Sequence, residues 1–212
     1  MVFQCCKRKS SYEHYSQESF DLSSRIPLTT IILENAIKKF IRESVIDASS
    51  GSITALSRYD GFFYNRQDLR NKVVEEIKRG SYQFLIMSAA YGFVHPFTKI
   101  HNYEQQMGGK ITNYWINTGL PSVLKEFTET GGYRNVYGFF SKSADYRKIF
   151  QAVDWNGIPG LKEAGYFYVQ GIRGVAKILK TCALLMMKLL DEGFKKKPVT
   201  FRDAHVKFVK TH

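Results

Sequence analysis

Three runs of polar, titratable residues follow apolar stretches of strand length: Cys5 to Lys9, Ser88 to His95 and Gln170 to Arg173. If those stretches are parallel strands of one sheet, the three runs meet at a common edge, bringing Lys9, Tyr91, His95 and Arg173 together. Such a set has a plain chemical use. A lysine whose ammonium is desolvated becomes a nucleophile, and a tyrosine or histidine beside it can move protons. Arg173, set between Gly171 and Gly174 at a helix start, could hold an anion through its guanidinium and the backbone N–H groups. Each residue also has a plainer reading. Tyr91 fits a core aromatic, His95 before Pro96 a surface loop, and the glycines a tight turn that opens a helix. No GxSxG elbow surrounds Ser88, which argues against a serine hydrolase. His95, His101 and Glu104 match no closed tetrahedral spacing, so no metal and no cofactor is expected.

The elements that must position these residues can be read from periodicity. Val2 to Cys6, Tyr82 to Met87, Val136 to Phe140 and Gly165 to Gln170 read as strands, the middle two as continuous apolar runs suited to a sheet covered on both faces. Ile26 to Ile46 reads as a long amphipathic helix with Pro27 in its first turn. Asp68 to Lys78 reads as a second, capped by Asp68 and stopped by Gly80. Thr112 to Thr130, with Pro121 as an irregularity, Ser143 to Val153 and Gly174 to Leu190 are further helices, and Val199 to Val209 is an edge strand. Apolar strands alternating with helices predict an α/β fold. We expect one domain over residues 1–212, with a mixed, mostly parallel sheet flanked by helices.

The chain carries 31 Lys and Arg against 19 Asp and Glu, a formal net charge of +12, concentrated at Lys7, Arg8 and Lys9, at Lys177, Lys180 and Lys188, and in the tail. Such a field favours phosphate backbones and other anionic surfaces as partners. Cys5, Cys6 and Cys182 show neither zinc spacing nor a ready disulfide partner. The absence of a signal peptide or of an apolar stretch long enough for a membrane predicts a cytoplasmic protein with no membrane partner. Trp155 to Ala164 contains Ile158-Pro159-Gly160-Leu161, the core of a helix-hairpin-helix signature, which predicts such an element at about 143–165 with Gly160 and Lys162 near phosphate.

CCKRKSSY near the start, LSRYDGFFY at Leu56 to Tyr64, MSAAYGFVHPFTKIHNYEQQMG at Met87 to Gly108, NYW at Asn113 to Trp115 and FYVQGIRGVAK at Phe167 to Lys177 together resemble the YaaA family of DNA-associated peroxide-stress proteins. The resemblance implies DNA, double-stranded or structured, as partner, a basic cleft and a role in limiting oxidative damage to DNA. It also implies an α/β fold with a helix-hairpin-helix-like element. By position it implicates Lys9, Tyr59, Gly61, Tyr64, Ser88, Tyr91, Gly92, Pro96, Tyr103, Glu104, Arg173 and Gly174. The expectation is a DNA-binding protein with a pocket for a base or phosphate. The Cys5 to Lys9 spacing also resembles archaeosine-synthase-type enzymes, where a lysine attacks a modified base. The alternative is therefore an enzyme acting on a nucleobase or nucleotide, with Lys9 as nucleophile.

Overall fold

The continuous apolar runs become strands buried on both faces. Val2 and Phe3 are 1% exposed, as is Leu85, while Ile86 and Met87 are fully buried. The computed structural model describes residues 1–15, 19–141, 144–195 and 197–212. Its strands are β1 (Val2–Gln4), β2 (Ile46–Asp47), β3 (Ile53–Thr54), β4 (Leu85–Ser88), β5 (Gly92–Val94), β6 (Lys99–Ile100), β7 (Asn102–Tyr103), β8 (Asn135–Phe139), β9 (Glu163–Gln170), β10 (Thr200–Phe201) and β11 (Ala204–Lys210). Its helices are α1 (Thr30–Arg42), α2 (Ala55–Arg58), α3 (Gln67–Arg79), α4 (Gly109–Asn117), α5 (Leu120–Thr130), α6 (Ala144–Gln151) and α7 (Val175–Asp191).

The main sheet has seven strands in the order β10-β11-β9-β8-β1-β4-β5. Its four central strands, β9, β8, β1 and β4, are parallel, whereas β5, β11 and β10 pair antiparallel at the two sides. The predicted mixed, mostly parallel α/β sheet is thus present. Phe3 stands beside Ile86 on one side and Phe139 on the other, and Phe139 beside Phe167. Helix α7 packs on β8 and β9 and against α3, while α5 packs on α1, α4 and α6.

Strand order reverses at β1. From β1 the chain crosses to β4, and later it returns to lay β8 on the other side of β1. Loops leaving the carboxyl ends of β1 and β8 therefore turn away from one another and leave a crevice, the usual place for a ligand in an open α/β sheet.

Several elements differ from expectation for physical reasons. Helix α1 begins at Thr30 because Glu126 of α5 reaches its start, accepting from Leu28 N (2.7 Å), Thr29 N (2.8 Å) and Thr29 Oγ1 (2.5 Å). A distant carboxylate thus caps that end. The cap position of α3 is Arg66, and Asp68 lies in the first turn, accepting from Leu69 N at 2.9 Å. Gly119, at φ +92°, divides the predicted 112–130 helix into α4 and α5, with Pro121 in the first turn of α5 where it is tolerated. The tail forms a hairpin, β10 with β11, in which β10 is the edge strand.

The predicted helix-hairpin-helix element requires correction. Helix α6 and a 3-10 turn at Trp155–Gly157 lead through Gly160, at φ +75°, into β9 rather than into a second helix. The mostly buried run Glu163–Gln170 is used as a sheet strand, so the hairpin has one helical arm only. Ser143, the expected cap of α6, lies outside the described residues. No helix among the described residues is long and apolar enough to cross a membrane.

Candidate functional site

Because β1 and β4 are parallel and in register from Val2–Leu85 to Gln4–Met87, their following loops leave from the same edge, with Cys5 N donating to Met87 O at 3.0 Å. The loop after β1 is strapped to residues 58–61. Asp60 N donates to Arg8 O at 3.1 Å, Ser10 N to Arg58 O at 2.8 Å, and Gly61 N to Cys6 Sγ at 3.1 Å. A Cβ on Gly61 would lie 2.6 Å from Cys6 Cβ, so glycine is what permits this close approach.

Two adjoining hollows open around the strapped loop. The first, about 420 Å³, is lined by Lys7, Arg8, Lys9, Ser10, Ser11, Arg58, Asn102 and Glu104. The second, about 330 Å³, shares Lys7 and Arg8 and runs over the crevice at the strand reversal, where Gln4 at the end of β1 and Cys5 and Cys6 after it line the hollow with Tyr146 of α6. Its remaining wall is largely apolar, including Phe62, Met107, Val175 and Leu179.

Charge in the first hollow is mostly positive. Arg8 pairs with Asp60 at 2.7 Å, and Lys7 is exposed. Arg58 is 4% exposed and donates to the carbonyls of Ser10 (2.9 Å), Gly51 and Ile100 (3.4 Å); burial lowers its pKa. Lys9 Nζ donates to Lys7 O at 2.8 Å and stands 4.1 Å from the centre of the Tyr103 ring. Burial pulls the Lys9 ammonium below its usual pKa, against the opposing influence of nearby Cys5, Cys6 and Glu104.

Beneath Lys9 lies a buried set of hydroxyls. Tyr59 and Tyr103 share a hydrogen bond of 2.8 Å, Ser88 Oγ donates to Tyr103 OH at 3.1 Å, and Tyr64 OH donates to Gln4 O at 2.5 Å. Tyr146 OH meets Cys5 Sγ at 3.2 Å. Burial holds the phenols of Tyr59, Tyr64, Tyr103 and Tyr146 well above their ordinary pKa, so they serve as neutral hydrogen-bonding groups. The Cys6 thiol is likewise pushed up to about 12 by burial, which makes it a poor thiolate.

Of the residues singled out in the sequence, Lys7, Arg8, Lys9, Gly61 and Glu104 line the two hollows. Tyr59, Tyr64, Ser88 and Tyr103 form the floor below. Tyr91 is buried behind that floor, its ring 5.7 Å from Tyr103, its hydroxyl accepting from His101 N at 3.0 Å and its pKa pushed up to about 12 by burial. His95 does not join the site. It is fully buried, stacked 3.9 Å from Phe20, with Nδ1 accepting from Phe97 N at 3.2 Å and Nε2 without a partner among the described residues. Gly92 packs elsewhere, against Leu33, Trp115 and Leu120. Arg173 and Gly174 are exposed at the carboxyl edge, just before Val175 of the second hollow. Gly160 and Lys162 precede β9 and so lie at the opposite edge of the sheet. Sequence reasoning missed Arg58, Phe62, Met107 and Leu179. Nothing local separates exposed Phe62 from Phe63, its 1%-exposed neighbour.

At the amino edge of the sheet a further hollow of about 480 Å³ is walled by Tyr82, Phe127, Tyr133, Tyr137 and Phe194, with Arg134 beside them and no cationic cluster. Among the described residues no three His, Cys, Asp or Glu side chains are grouped to hold a metal ion. No model of a known protein family matches the chain, and no curated protein is similar enough to carry an assignment. The likeness to the YaaA family therefore rests on the motifs alone.

Proposed function

We propose that the carboxyl edge of the sheet binds nucleic acid through a nucleotide unit, with phosphate in the cationic hollow and the base in the adjoining apolar one. The observation that carries this reading is the placement of Lys7 and Arg8 on the shared wall of both hollows, over the strand reversal at β1. A planar, weakly polar base fits a wall of Phe62, Met107 and Val175, and an anion fits Lys7, Arg8 and Lys9. The sequence motifs support DNA as the nucleic acid and protection from oxidative damage as its setting.

Three loop cations neutralising phosphates give a log–log salt slope of roughly −2 to −3, so raising salt from about 50 to about 200 mM is expected to weaken binding roughly 20- to 40-fold. Fluorescence anisotropy with a labelled oligonucleotide measures this. Lys7→Ala combined with Arg8→Ala should flatten the slope by roughly 1.4 to 1.8. Affinity indifferent to salt, or a double variant that binds like the parent, removes the reading.

A second reading rests on Lys9 itself, whose amine is partly desolvated at the wall of the cationic hollow and so carries more of the nucleophilic free base. An enzyme in which the neutral Lys9 Nζ adds to a nucleobase carbon joined to nitrogen by a multiple bond, the displaced π pair moving to that nitrogen and taking up the proton that Nζ loses, would leave an adduct on Lys9, visible by peptide mass spectrometry. The adduct should vanish in Lys9→Ala. An unchanged adduct in that variant places the chemistry on another residue.

A further inference from the structure

A second cationic hollow, about 440 Å³, is lined by Arg66, Lys177, Lys180, Arg202 and the single carboxylate Asp203. It and the apolar hollow share helix α7. Val175 and Leu179, four residues apart, line the apolar hollow, whereas Lys177, Lys180 and Leu184 line the cationic one. The two therefore flank the amino-terminal half of one helix, roughly 10 Å across with its side chains. Lys177 is 3.7 Å from Asp203 and Arg66 pairs with Asp68, whereas Lys180 and Arg202 have no carboxylate partner among the described residues.

Phe62 joins the two hollows. The residue is 43% exposed and lines the apolar hollow, and its ring lies 5.8 Å from Lys180 Nζ. Val175, beside it, is 67% exposed. Two large apolar side chains thus stay in water where cations flank them on both sides, in a chain with ample core to bury them. An exposed ring edged by lysine offers a stacking face together with phosphate contacts.

We infer that the partner of this face is a single-stranded nucleic acid whose backbone crosses the amino-terminal half of α7, with phosphates in both cationic hollows and a base stacked on Phe62. This rests on the nucleotide-binding reading above and narrows it. Bases within a duplex already have both faces stacked, so only an unpaired base can lie on the Phe62 ring. The first-turn N–H groups of α7, after Gly174, add a favourable dipole for the crossing backbone.

The test is anisotropy with a labelled oligonucleotide of about 12 nucleotides, single-stranded and annealed to its complement. The proteins compared are the parent, Phe62→Ala, Phe62→Trp, and Lys180→Glu with Arg202→Glu. The single strand is expected to bind more tightly than the duplex. Phe62→Ala should weaken single-strand binding roughly ten- to a hundredfold and leave any duplex binding unchanged, and Phe62→Trp should restore it. The charge-reversed pair should lower the single-strand salt slope by about 0.7 for each phosphate that is no longer neutralised. A duplex that binds as tightly as the single strand, or a Phe62→Ala variant that binds like the parent, overturns the track. In either case the nucleotide reading survives if Lys7→Ala with Arg8→Ala still weakens binding. No binding of either nucleic acid overturns both.

Discussion

Acidifying the protein from about pH 6.5 to about pH 4.5 is expected to remove roughly 2–2.5 kcal/mol of folding stability through His95 alone. Its imidazole is walled by Phe20 and Phe97, and burial drives its pKa down from 6.5 to about 3. Between those two values the unfolded chain binds a proton that the native protein does not. The unfolded state is thus favoured increasingly as pH falls, with a slope that approaches about 1.4 kcal/mol per pH unit below about pH 5.5, while above about pH 7.5 neither state is protonated and the loss is absent. Urea denaturation across this range measures it, with His95→Asn as comparison, since the amide oxygen can still accept from Phe97 N. Carboxylates titrate in both proteins, so the difference between the two profiles isolates the imidazole. Parallel profiles would mean that native His95 is protonated or reached by water.

His95 also marks one boundary of what the sequence discloses. Its type and its place after an apolar strand suit a proton carrier, but the ring that stacks on it is Phe20, 75 residues earlier in the chain. That the loops carrying Cys5 to Lys9, Tyr91 and Arg173 leave one sheet edge was legible because parallel strands share a polarity, whereas their places within that edge were not, since Tyr91 lies behind the floor and Arg173 lines neither hollow. Which strands are neighbours was not legible. The crevice between β1 and β8 depends on a reversal that no local pattern records. Lys162 illustrates the same gap: the Ile-Pro-Gly-Leu turn was visible, but its following arm pairs with β8 and β11, which fixes Lys162 at the edge away from Lys9. The start of α1 was hidden for a like reason, because its cap is Glu126, from another helix. The basic residues Lys177, Lys180 and Arg202 stood out as charge, whereas their grouping around one hollow needed the β10–β11 hairpin to fold back beside α7.

Gly92→Ala is expected to destabilise the fold by about 2–5 kcal/mol, although the family resemblance makes this glycine a pocket residue. It opens β5 opposite Ser88, after a turn in which Ser88 Oγ accepts from Ala90 N at 3.3 Å and Tyr91 N at 3.1 Å. The chain reverses there with Gly92 at φ +70°, a left-handed conformation that costs an alanine about 1–2 kcal/mol. An added Cβ would also lie 2.7 Å from Leu33 Cδ2 and 2.9 Å from Leu120 Cδ1, and 3.2 Å from the Trp115 ring. Forcing such a methyl into a packed core costs about 1–3 kcal/mol more. Gly80 separates the two contributions, because it too has φ +70° but nothing within 4 Å of its would-be Cβ. Gly80→Ala should therefore show only the conformational loss, about 1–2 kcal/mol in urea denaturation. If the two variants unfold alike, the packing around Gly92 is not as tight as these distances require. Where Gly92→Ala remains folded, it should bind nucleic acid like the parent, since Leu33, Leu120 and Trp115 line neither the cationic nor the apolar hollow. A folded variant that loses binding would instead return Gly92 to the site that the motif implies.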